Sequence, residues 1–150
     1  MGLLTDIAFA KALRSNAELL EELPAGDVYN VAIALPDRDV ANAPVPYVIV
    51  GYEGMTNDET TKDNDFEGET DNATVTITVA APTREKLGSL AVAIRQTVRA
   101  YFLEHYGDTT EEEHAEIPED VTFSAGGVSY DPDKPCFWQV LNYQCQTPAD

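Results

Sequence analysis

Ala73-Thr74-Val75-Thr76-Ile77-Thr78-Val79-Ala80 alternates without a break, small or β-branched apolar residues at 73, 75, 77 and 79 and threonine at 74, 76 and 78. Successive side chains on an extended chain point to opposite faces. The octet therefore sets Ala73, Val75, Ile77 and Val79 against a core and turns the threonines away from it, which predicts a strand covered on one side. The residues that follow supply the cover. Pro82-Thr83-Arg84-Glu85 has the chemistry of a helix start, and Leu87, Leu90, Ala91, Ile94, Val98, Tyr101 and Phe102 then recur at helical spacing until Tyr106-Gly107. Val75, Ile77, Val79, Leu90, Ile94 and Val98 are expected to be buried together.

Toward the amino end, Val45-Pro46-Tyr47-Val48-Ile49-Val50-Gly51-Tyr52 is rich in β-branched and aromatic residues with a proline at its entrance, and predicts a second strand. Asp27 to Val31 predicts an extended segment. Before it, Leu3, Ile7, Ala10, Leu13, Ala17 and Leu20 keep helical spacing, which predicts one amphipathic opening helix stopped by Pro24 and Gly26. Toward the carboxyl end, Val121 to Tyr130 and Cys136 to Gln146 predict an antiparallel hairpin turned at Asp131-Pro132-Asp133-Lys134-Pro135, with a bulge or bend at Gly126-Gly127. The fold class expected is α+β, a mostly antiparallel sheet with two helices packed on one face, in a single domain across residues 1–150.

Composition agrees with one core: 150 residues with 43% hydrophobic content need neither disulfides nor a metal to hold them together. Cys136 and Cys145 are an odd number of residues apart, so on one strand they face opposite ways and are expected to stay reduced. The run Met1 to Lys11 lacks a secretory pattern, and no stretch is long and apolar enough for a membrane span, so a cytosolic start and no membrane partner are expected. Lys and Arg supply 9 residues against 27 from Asp and Glu, a formal charge of −18. Nonspecific nucleic-acid binding, which needs clustered cations, is excluded over most of such a surface. High acidity also keeps a protein soluble at high copy number.

Two segments concentrate the acid. Residues 53–72 are crowded with carboxylates and carry few apolar side chains beyond Met55 and Phe66. A mobile acidic loop or β-arm is expected there, because so little apolar surface does not offset the entropy of ordering. Met55 and Phe66 are the candidate interface residues. The second segment, Asp108 to Asp120, reads as an acidic connector.

No pattern for catalysis or cofactor binding is complete, and no enzyme activity is expected. Asp63-Asn64-Asp65-Phe66-Glu67-Gly68-Glu69 imitates half of a calcium loop, but the position for its closing bidentate Glu falls on Thr74 in a strand. His105 and His114 lie among glutamates without the fixed spacing of a zinc site. Gly126-Gly127 lacks the lysine and following helix of a phosphate cradle. Tyr130, Phe137, Trp138 and Tyr143 have no basic groove in which to stack bases and are expected in core and interface packing. No metal and no cofactor is expected.

The order of these signals resembles a known family. A short amphipathic helix leads to Asp27-Val28-Tyr29-Asn30 and then to Pro44-Val45-Pro46-Tyr47-Val48-Ile49-Val50. After a polar loop come the alternating strand Ala73 to Ala80 and the helix Arg84 to Phe102. This pattern is similar to the tail-terminator, or tail-completion, proteins of long-tailed phages and prophages. The segments Glu53 to Asn72 and Asp108 to Asp120 look long for it. The resemblance implies a structural virion protein, made in the host cytoplasm, that assembles with its own copies into a ring, commonly a hexamer. Such a ring caps the tail tube protein, joins it to a head or neck connector protein, and lets DNA pass through an acidic lumen without sticking. Another phage neck or head-tail joining protein is the alternative, and a small-ligand-binding or hydrolytic α+β domain a further one.

Overall fold

The computed structural model describes residues 5–23, 29–30, 45–57, 70–105, 117–118 and 120–148. In chain order they form α1 (Thr5–Arg14), α2 (Ala17–Glu21), β1 (Tyr29–Asn30), β2 (Tyr47–Asn57), β3 (Thr70–Ala81), α3 (Arg84–His105), β4 (Asp120–Ala125), β5 (Ser129–Asp131) and β6 (Cys136–Pro148). The strands make one sheet in the order β1-β2-β3-β6-β4, with β5 also paired to β6. Every pairing is antiparallel except β1 with β2. The architecture is α+β with a mostly antiparallel sheet, as the alternating octet and the helix after it imply.

The octet lies in β3, the middle strand of that order. Ala73, Val75, Ile77 and Val79 are buried on the helix side, and Leu87, Leu90, Ile94, Val98 and Phe102 of α3 descend on them. Thr83 ends the strand-to-helix turn by accepting the Lys86 backbone N–H at 3.1 Å, which satisfies one of the helix's unpaired donors. Helix α1 packs beside α3 on the same face. Its largest side chain, Phe9, is fully buried between Phe102 and Tyr143, ring centroids 4.9 and 4.8 Å away. Offset and edge-on ring contacts of this kind add to the gain from burial alone.

The opening helix is not continuous. It breaks at Ser15-Asn16, where the Ser15 hydroxyl donates to the Ala12 carbonyl at 2.6 Å and the Asn16 side-chain oxygen accepts from the N–H groups of Glu18 and Leu19. Asn16 thus caps a new helix, α2, and its amide also donates to the Thr97 hydroxyl on α3 at 2.8 Å. The break resets the helical phase. Leu19 and Leu23 are buried where uninterrupted spacing favours Ala17 and Leu20; Ala17 is exposed and Leu20 half-buried.

The expected strand Val121 to Tyr130 is likewise two strands. Ala125 pairs with Leu141 and Ser129 with Trp138, so four steps on one side face three on the other and one residue is extra. The bulge falls at Gly126-Gly127, held by the Gly126 N–H on the Val140 carbonyl and by the Gln139 amide on the Gly126 carbonyl. In the turn, the Asp131 carboxylate accepts the Asp133 N–H at 2.9 Å, an Asx turn that starts the return into β6. Among the described residues no helix is long and apolar enough to cross a membrane.

Candidate interaction surface

Strand β2 runs past the end expected at Tyr52, through Glu53 to Asn57, and β3 starts early, at Thr70. Both ends of the acidic 53–72 segment are therefore paired strand, and residues 58–69 lie outside the described residues. Gly54 makes the extension work. Its φ of +140° is one that side-chain-bearing residues rarely adopt, and the register slips between Tyr52 and Gly54. With Glu53 as the extra residue, Met55 pairs with Ala73 and turns to the helix side, where it is half-buried; without the slip Gly54 would hold that place. Phe66, the other candidate interface residue, lies outside the described residues.

The opposite face, which carries no helix among the described residues and is called helix-free below, can be read row by row from the register. Thr56, Asn72, Gln146 and Asp120 form one row across β2, β3, β6 and β4; Gly54, Thr74, Gln144 and Thr122 the next; Gly51, Thr76, Asn142 and Ser124 the third. These rows are uncharged except for Asp120 at the margin and Glu53, whose carboxylate accepts the Thr76 hydroxyl at 3.1 Å. A shallow depression of about 890 Å³ opens over the first two rows. Farther along, the face turns apolar at Ile49, Ala80 and Cys136, all buried.

A polar cluster sits on the helix side at the same end of the sheet. Asp71 is 3% exposed and accepts from the Asn57 amide at 2.8 Å; Thr147, opposite Asp71 on β6, is 1% exposed. Tyr52 titrates above its ordinary value through burial first and then through the carboxylates of Asp6 and Asp71. These groups join the start of α1 to the outer part of the β2–β3 hairpin.

The other residues singled out in the sequence are dispersed. His105 stacks on Tyr101 at 4.4 Å, and His114 and the Asp63 to Glu69 run lie outside the described residues. Among the described residues no group of three or more His, Cys, Asp or Glu is placed to hold a metal ion. Tyr130 stacks on Phe137 at 5.1 Å on the helix side, whereas Trp138 is on the other face. Cys136 and Cys145 are both buried and free, on opposite faces of β6. Burial raises both thiols, Cys145 to about 12. Composition alone conceals the charge-poor face, because its neutral threonines, asparagines and glutamines come from four strands. No model of a known protein family matches the chain, and a search of curated proteins gives no match either.

Proposed function

We propose that this protein is a structural assembly subunit of the tail-terminator kind, closing a ring of its own copies on the end of a phage tail tube and meeting a head or neck connector on the other side. The observation that carries the reading is the charge-poor helix-free face. Copies of a chain with a formal charge of −18 repel one another, and they approach closely only through surfaces that are neutral or complementary. The threonine, asparagine and glutamine rows of β2, β3, β6 and β4 offer such a surface, with side chains able to exchange hydrogen bonds with a neighbour. A closed ring also covers sheet edges that would otherwise recruit further chains. Acid elsewhere on the subunit suits a lumen through which DNA slides.

Mass measurement of the purified protein, alone and mixed with tail tubes, tests the reading. The expected result is a closed oligomer in one or both conditions and tubes capped at one end in electron micrographs. A monomer that neither associates nor binds tubes overturns it.

A further inference from the structure

A second surface lies in the helix layer. A groove of about 420 Å³ runs between the carboxyl-terminal half of α3 and strand β4. Val98, Phe102, Val121 and Phe123 contribute its apolar lining, and Arg95, Arg99 and Leu103 stand at its helix side. Leu103 is 68% exposed, a large aliphatic side chain left open to solvent about one turn beyond Arg99. The Arg95 guanidinium lies 4.3 Å from the centre of the Phe123 ring, and neither arginine meets a carboxylate among the described residues. Two of the chain's 9 basic residues thus stand along one groove with no acidic partner among the described residues, in a protein with 27 acidic ones.

Strand β4 is the terminal strand of the sheet and pairs only with β6, so its outer backbone edge is unpaired among the described residues. Tyr143 lines the groove from the sheet side and is 3% exposed, and its hydroxyl has no hydrogen-bond partner among the described residues.

We propose that the groove captures an extended acidic segment of another polypeptide, which adds as a strand to the open edge of β4. Its main chain pairs with the β4 backbone. Side chains on the side facing α3 alternate with those facing away, so an apolar residue settles near Leu103 and Val121 while a carboxylate two positions along reaches Arg95 or Arg99. The arginines reject basic segments and accept carboxylates in a forked, two-bond geometry. The groove belongs to the helix layer and the neutral rows belong to the opposite face, so this binding does not depend on ring formation.

Fluorescence anisotropy with a labelled short peptide, threonine alternating with leucine and glutamate in turn, is the direct test. Saturable binding is expected, weakened at least about tenfold when glutamine replaces each glutamate, and equally by Arg95→Gln with Arg99→Gln. Both arginines are exposed, so circular dichroism should show an unchanged fold in that variant. N-methylation of alternate peptide nitrogens should abolish binding in one phase of the alternation and not in the other, which a purely electrostatic contact would not do. The proposal is overturned if the acidic peptide does not bind, if the glutamine peptide or the arginine variant binds as well as the originals, if N-methylation has no effect, or if a thymidine oligonucleotide outcompetes the peptide.

Discussion

At the scale of the residue, Gly54 and the pair Tyr143 and Cys145 make the clearest demands. A methyl group on Gly54 would meet nothing within 4 Å, so the obstacle there is its φ of +140°. Gly54→Ala should lower stability by about 1–2 kcal/mol through backbone strain, seen as a lower urea midpoint with an unchanged slope. Tyr143 and Cys145 lie side by side in the buried layer, and desolvation pushes each up to about 12, from ordinary values of 10.0 and 9.0. Since the unfolded chain releases these protons earlier, their contribution is fully present below about pH 9 and is lost as pH rises toward 12. Each decade between the folded and unfolded titrations is worth about 1.4 kcal/mol, so denaturant midpoints should fall steeply across that range. Cys145→Ala should flatten the fall, and an equal slope in that variant would contradict the assignment.

At the scale of the element, Asn16 decides between one helix and two. Asn16→Ala removes the cap of α2 and the contact with Thr97 together, and should cost about 1–2 kcal/mol by chemical denaturation. What the sequence discloses and conceals is sharply divided here. The alternation of 73–80 and the spacing from Leu87 to Phe102 are long, regular and unambiguous, so strand, helix and their shared core were legible from residue types alone. Ser15-Asn16 is a capping signal inside a run whose apolar spacing continues on both sides, and periodicity overrides it on paper, whereas side-chain hydrogen bonds override periodicity in the fold. The same holds for Phe9, whose burial follows from where Phe102 and Tyr143 lie, information that no local window contains. Met55 was legible as an apolar residue in acid surroundings, but its turn toward the helices depends on a one-residue slip at Gly54. Arg95 and Arg99 fall outside the apolar spacing of α3, and only strand β4, more than twenty residues on, makes their side of the helix a groove wall.

At the scale of the whole molecule, charge is distributed unevenly, and assembly should respond to that. Ser124→Glu combined with Gln144→Glu puts two carboxylates into the neutral rows without touching the core, since both residues are exposed on the face opposite the helices. The double variant should keep its thermal midpoint within a few degrees, because substitutions away from the core rarely exceed about 0.5 kcal/mol. Its assembly should weaken at least about tenfold by analytical ultracentrifugation, with partial recovery at high salt. Unchanged assembly in that variant would move the contact surface elsewhere, to the sheet edges or to residues 58–69.

The odd spacing of the two cysteines has a practical use. Both thiols are concealed in the native state, one beneath the helix layer and one on the far side of the same strand. A thiol reagent can reach either only when the structure above it lifts, and reaction at Cys145 then times the departure of the helices while reaction at Cys136 times exposure of the other surface. A single unmodified chain, quenched at intervals and mapped by mass spectrometry, would therefore report two opening rates at once. Equal rates would mean that the layers part together, and unequal rates would identify which one leaves first.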